Sequence, residues 1–101
     1  MNTIKEIEKI SKKYSLSTDE FILSGSILCL EAKKKQYSLD RFEYFSRYGV
    51  SSLKELESRI KTGSVPEHPA WEDLIEIENI ESEVKEIEND IKSLQAIYRN
   101  S

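Results

Sequence analysis

The last third of the chain carries a regular row of apolar residues. The row comprises Ile77, Ile80, Val84, Ile87, Ile91, Leu94 and Tyr98, with spacings that alternate between three and four residues. This is the a/d pattern of a helix that packs along its length on another helix. Because no Pro or Gly occurs after Pro69, the pattern predicts one long helix over residues 69–98.

Acidic residues flank this row on both sides. The g positions hold Glu76, Glu83 and Asp90, and the e positions hold Glu81 and Glu88. Outer positions add Glu78 and Glu86, and only Lys85 and Lys92 offset these charges within the segment. An amphipathic helix of this kind needs an apolar partner surface, and its acidic flanks favour a basic one.

The remaining sequence predicts three further helices, at residues 3–14, 18–47 and 52–62. Two sites fit capping boxes, namely Ser17 with Glu20 and Ser52 with Glu55. Gly49 suits the left-handed residue that ends a helix. Ser38 is a further possible cap, so the second helix either continues through residues 37–38 or divides there.

The second helix carries more than one apolar stripe. The segment Phe21–Leu30 is apolar nearly all round, which predicts a central place in the core. Farther along, the tyrosines at 37, 44 and 48 continue one seam, on which Arg41 also lies, and Leu39, Phe42 and Phe45 form a second strip. We expect seven residues to be mostly buried, either in the monomer or across a dimer, namely Leu23, Ile27, Leu30, Ile77, Ile80, Val84 and Ile87.

These elements predict an all-α fold of short, long, short and long helices in one domain. The domain divides into three segments: residues 1–16 contain the N-terminal helix, 17–63 contain the long basic and apolar helix with the short helix, and 64–101 contain the acidic amphipathic helix. We expect the two long helices to form an antiparallel, coiled-coil-like hairpin. Such a narrow hairpin leaves apolar surface uncovered, so we also expect a homodimer.

Composition and charge narrow the classes of function. The chain has 101 residues and a net charge of −4. Residues 1–50 carry nine Lys or Arg against seven Asp or Glu, whereas residues 51–101 carry six against twelve. The acidic half disfavours nucleic acid binding there, because phosphate repels it. The longest apolar stretches fall far short of the roughly 20 residues that a membrane span needs, and we expect no signal peptide.

A single cysteine, Cys29, lies in the apolar segment of the second helix. One cysteine cannot form a disulfide within the chain, which favours a reducing, cytoplasmic location. We expect Cys29 to be a small buried apolar residue rather than a nucleophile.

The densest polar cluster is the segment from Glu67 to Asp73. His68 and Glu72 share a helix face at best, and a metal site needs three or four converging ligands, so acids at a helix N-terminus are the simpler interpretation. Trp71 is either a core anchor or an interface anchor, and we favour the core. With one histidine and no Gly-rich phosphate loop, we expect no catalytic, cofactor-binding or metal site.

The basic run Lys33–Lys35 has three interpretations. It is a solvated helix face, a phosphate-binding patch, or a match for the acidic helix when that helix folds back antiparallel.

Several segments resemble a group of small uncharacterised archaeal and bacterial proteins. The resemblance lies in the turn Tyr48-Gly49-Val50-Ser51, the helix Leu53–Lys61 followed by Gly63, and the segment Glu67–Asp73, and it extends over about residues 28–92. Several of these proteins resemble antitoxins that pair with small basic RNase-type toxins of the RelE/ParE kind. The resemblance implies an acidic helix that covers a basic, RNA-binding surface.

The sequence and the resemblance together favour a non-enzymatic, antitoxin-like interaction module. We expect its acidic helix to bind a small basic toxin, with Glu76, Glu83 and Asp90 steering association and Trp71, Ile77 and Ile80 supplying apolar burial. The alternative is a self-associating helical scaffold or adaptor without a toxin partner.

Overall fold

The computed structural model describes residues 2–100, which form four helices and no strand. The helices are α1 (Thr3–Lys13), α2 (Thr18–Tyr48), α3 (Leu53–Lys61) and α4 (Glu67–Arg99). The predicted all-α fold is therefore confirmed, and each predicted boundary lies within two residues of the observed one. The molecule is elongated, with extents of 60 × 28 × 20 Å.

Side-chain caps fix the starts of α2 and α3. The Ser17 hydroxyl oxygen accepts from the Glu20 amide at 3.0 Å, and Ser52 accepts from the Glu55 amide at 3.1 Å. α2 continues through residues 37–38 without a break. The Gln36 side chain donates to Asp40 at 3.0 Å across this region, as expected for neighbours one turn apart.

A short connection brings the chain back after α2. Gly49 ends α2 with φ +62° and ψ +34°, a left-handed conformation that suits glycine. The Arg59 guanidinium of α3 then donates to the Tyr48 carbonyl at 2.9 Å. This bond satisfies a carbonyl at the helix end and holds α3 beneath the end of α2.

α2 and α4 form the predicted antiparallel hairpin. Ion pairs join Lys34 to Glu88 and Arg47 to Asp73, so residue numbers fall along α4 as they rise along α2. The regular part of α4 follows Pro69, because His68 and Pro69 have non-helical backbone angles.

The hydrophobic core is concentrated at the closed end of the hairpin, where α3 packs beneath the two long helices. Its buried residues are Phe45, Val50, Leu56, Ile60, Ala70, Leu74 and Ile77, and Ile80, Ile87 and Ile91 continue the buried row along α4. Leu56, Ala70 and Ile77 are fully buried. The prediction that Ile77, Ile80 and Ile87 belong to the core is confirmed, and Val84 is half-buried.

The first part of α2 is not central in the core, contrary to the expectation for Phe21–Leu30. Leu23, Ile27 and Leu30 are only half-buried, and Leu28 and Cys29 are exposed. The physical reason is that α4 covers one face of this segment, and α1 is too short to cover the others. Cys29 is therefore an exposed thiol, and the expectation of a buried cysteine is wrong.

Candidate interaction surfaces

One edge of the α2–α4 interface is a ladder of opposite charges. Lys34 lies 3.5 Å from Glu88, and the Arg41 Nε lies 3.7 Å from Glu81. Glu81 and Glu88 are the acids at the e positions, so this row of α4 is balanced within the chain. The interpretation of Lys33–Lys35 as a match for the acidic helix is confirmed at Lys34. Each of these partly exposed pairs contributes at most about 1 kcal/mol to the free energy of unfolding. Their main effect is on the register in which α4 packs along α2.

The acids at the g positions are arranged differently. Glu76, Glu83 and Asp90 are exposed, and no cation among residues 2–100 forms an ion pair with them. Two more exposed acids, Glu72 and Glu86, lie on the same side of the helix. We call the row of Glu72, Glu76, Glu83, Glu86 and Asp90 the outer acidic stripe. The stripe is about 27 Å long at the rise of an α-helix.

The apolar residues predicted to bind a partner are not all on the surface. Ile77 is fully buried and Ile80 is 7% exposed, because both pack inside the hairpin. A direct contact between these two side chains and a partner would require α4 to separate from α2. Their role in partner binding stays a prediction.

Trp71 combines the two roles considered for it. The side chain packs against the core cluster but is only half-buried. Ile75 lies one turn along the same helix and is 54% exposed. It is not among the binding residues predicted from the sequence, because it falls outside the a/d row of α4. Its only signal in the sequence is that it is a single apolar residue away from that row. The two side chains form an apolar edge beside the outer acidic stripe.

The polar cluster at the start of α4 has a structural arrangement. His68 Nδ1 lies 2.7 Å from Glu72 Oε1, and both side chains are exposed. The Glu72 backbone amide and then His68 lower the pKa of the Glu72 carboxyl below its usual value. Among residues 2–100, no group of three His, Cys, Asp or Glu side chains is placed to hold a metal ion.

Asp73 holds the other end of this cluster against α2. The Tyr48 hydroxyl donates to Asp73 Oδ2 at 2.5 Å, and Arg47 lies 3.9 Å from the same oxygen. Burial, followed by the hydrogen bond and the negative charge of Asp73, raises the pKa of Tyr48 to about 12. This pair links the end of α2 to the start of α4 and therefore stabilises the closed end of the hairpin.

Apolar residues are also exposed away from α4. Leu28, Leu39 and Phe42 of α2 lie outside the hairpin, and Ile4 and Ile10 of α1 are exposed as well. Large exposed apolar patches on soluble proteins commonly mark contact sites. In residues 2–100, no helix is both long and apolar enough to cross a membrane.

A family model matches residues 1–98, almost the whole chain. The chain belongs to the uncharacterised protein MJ0235 family. No curated protein and no solved structure matches the chain. The family match agrees with the resemblance to uncharacterised proteins and, unlike that resemblance, includes α1. It carries no link to antitoxins or to RelE/ParE toxins.

Proposed function

We propose that the protein is a non-enzymatic interaction module that binds a small basic protein over the outer acidic stripe of α4. The observation that carries this proposal is the difference between the two acidic rows of the helix. Glu81 is matched by Arg41 of α2, whereas Glu76 and Glu83 face solvent without an ion pair in the described chain. An unbalanced row of charge on a rigid helix supplies an electrostatic surface for a cationic partner.

The apolar edge beside the stripe supplies the second element of the binding surface. Trp71 is anchored in the core on one side and half-exposed on the other, so binding does not need to order a mobile side chain. Ile75 adds exposed apolar area next to it. Partly exposed aromatic anchors of this type are enriched among residues that dominate binding energy.

The antitoxin-like form of this proposal names the partner as a small basic RNase-type toxin. Its support is the resemblance of the segments at residues 48–51 and 67–73, together with the acidic stripe. In this form the stripe covers the basic surface with which the toxin would contact RNA. Binding neutralises the positive charge of that surface and sterically excludes RNA from it. A cytoplasmic location belongs to the same proposal.

The proposal is tested with a basic protein encoded next to this chain. We expect binding by calorimetry, and restored growth when the two are co-expressed if the neighbour is toxic alone. Changing Glu76, Glu83 and Asp90 to Lys should slow association strongly at low salt, because steering charges act mainly on the association rate. The three positions are exposed, so the melting curve should change little.

A matched control carries the same change in net charge elsewhere. Glu8, Asp19 and Glu43 are exposed and lie on α1 and α2, away from the outer acidic stripe and its apolar edge. Their change to Lys should leave the association rate much closer to that of the unchanged protein. Equal slowing by both triple variants would show that net charge and not the stripe governs binding. A toxic neighbour that is neither bound nor neutralised would refute the antitoxin-like form.

Self-association is the second candidate function, and the exposed apolar residues of α2 favour it. Leu28 and Phe42 are each 69% exposed, which is unusual for two large apolar side chains on one helix. The scaffold form of this candidate needs no toxin. It predicts a dimer by sedimentation equilibrium at roughly 50 micromolar protein, and a monomer at that concentration would remove it.

A further inference from the structure

The face of α2 that points away from α4 carries its own regular row of residues. We call it the outer α2 stripe, and it comprises Gly25, Leu28, Ala32, Lys35, Leu39 and Phe42. All six are exposed. The spacing between successive members is three, four, three, four and three residues, which is the pattern of a helix-packing seam.

We propose that the outer α2 stripe is a two-fold interface, on which α2 of a second copy packs in the antiparallel direction. This inference rests on the self-association proposed above and is independent of the basic partner. The spacing is the same when it is read from either end. When residue 25 of one copy lies opposite residue 42 of the other, 28 therefore lies opposite 39, and 32 opposite 35. A two-fold interface requires such a self-matching surface.

The sizes of the side chains also match in this register. The large Phe42 lies opposite Gly25, Leu28 lies opposite Leu39, and the long Lys35 lies opposite Ala32. A Cβ added at Gly25 would meet nothing within 4 Å, so packing within one chain does not require glycine there. Glycine in a helix interior is unfavourable without such a reason. The ring of Phe42 from a second copy supplies one.

Charge complementarity favours a second copy as the occupant. Glu31 lies beside the stripe, one turn before Lys35. The two side chains are therefore on the same side of the α2 seam. In a two-fold antiparallel pair, equivalent flanks meet. Lys35 of each copy then lies within one residue of the level of Glu31 of the other copy. Two equivalent ion pairs form at the centre of the interface. The apolar contacts lie on either side of them, toward the two ends.

The test measures dimer dissociation constants of the full chain by sedimentation equilibrium. Gly25→Leu should weaken the dimer by about tenfold or more, because the added side chain occupies the place of Phe42. Phe42→Ala should weaken it by a similar factor through lost burial. The double variant should recover much of the loss, because the new leucine then fills the space that the ring leaves. Non-additivity of this kind marks two residues in contact.

The control is Ile75→Ala, which removes an exposed apolar side chain from α4 and should leave the dimer unchanged. Far-UV circular dichroism of each variant at low concentration checks that the monomer is folded. A wild-type chain that stays monomeric overturns the inference and leaves the stripe to a different occupant. A dimer that tolerates Gly25→Leu, or a double variant with additive losses, also overturns it.

A binding assay with the basic neighbour separates this inference from the proposed function. Phe42→Ala should bind that protein as well as the unchanged chain does, because Phe42 lies on the other long helix from the outer acidic stripe. If dimerisation fails while this binding persists, only the interface on α2 is wrong.

Discussion

The hydrogen bond between Tyr48 and Asp73 offers a direct test of how the closed end is held. The Asp73 side chain is only 15% exposed, so its carboxylate depends on protein partners. Tyr48→Phe keeps the ring that packs against the core and removes the donor. Arg47 then remains as a partner at 3.9 Å. Hydrogen bonds to charged groups contribute about 1.5–3 kcal/mol, and we expect the free energy of unfolding to fall by about 2 kcal/mol.

The effect of Tyr48→Phe should depend on pH. The folded state raises the pKa of Tyr48 from 10.0 to about 12, chiefly through burial and through the bond to Asp73. A raised pKa means that the folded state favours the protonated phenol. The contribution of the protonated Tyr48 side chain to the free energy of unfolding is complete below pH 10. It disappears as the pH rises toward about 12. The stability difference between the two proteins should therefore narrow over this interval.

The measurement is urea unfolding followed by far-UV circular dichroism, at neutral pH and then at steps above pH 10. Tyr37→Phe is the matched control, because Tyr37 is also half-buried on α2 and has no hydrogen bond within residues 2–100. Its stability should change much less. Equal losses for the two variants, or a Tyr48→Phe effect that persists unchanged at high pH, would refute the reasoning.

Two further predictions concern the core and the helix end. Ile77→Ala should lower the free energy of unfolding by about 2–5 kcal/mol, since Ile77 is fully buried, whereas Ile75→Ala should be close to neutral. Gly49→Ala should cost about 1–2 kcal/mol because of the left-handed backbone at φ +62°. Gly25→Ala, inside α2, should instead stabilise the monomer by about 1 kcal/mol. Thermal melts at low protein concentration measure all four changes in stability. If the two glycine variants were both stabilised or both destabilised, this account would be contradicted.

Local signals in the sequence were sufficient for the helices and their ends. The caps at Ser17 and Ser52 and the left-handed Gly49 act over a few residues, so their effect is present in the chain before any tertiary contact forms. The a/d row of α4 likewise identifies the face that becomes buried, because α4 has only one apolar row of that length. The burial of Ile77 and Ile80 follows from that pattern.

The side of α2 that meets α4 was not determined by local sequence. α2 carries two rows with the same helical period, one through Leu23, Ile27 and Leu30 and one through Leu28 and Leu39. Periodicity identifies an apolar face but not its partner. The choice is made by tertiary packing, which leaves the second row and Cys29 exposed.

The division of the acids on α4 was also decided by tertiary structure. In the sequence, the g row holds three acids and the e row holds two, and both rows flank the same seam. Antiparallel packing places Lys34 and Arg41 beside Glu88 and Glu81, and leaves the row through Glu83 facing solvent. The sequence determined that the helix is acidic, amphipathic and in need of a partner. The tertiary structure made α2 that partner along one face, because the length and charge of α2 match α4, and it thereby defined which acids stay available for another molecule.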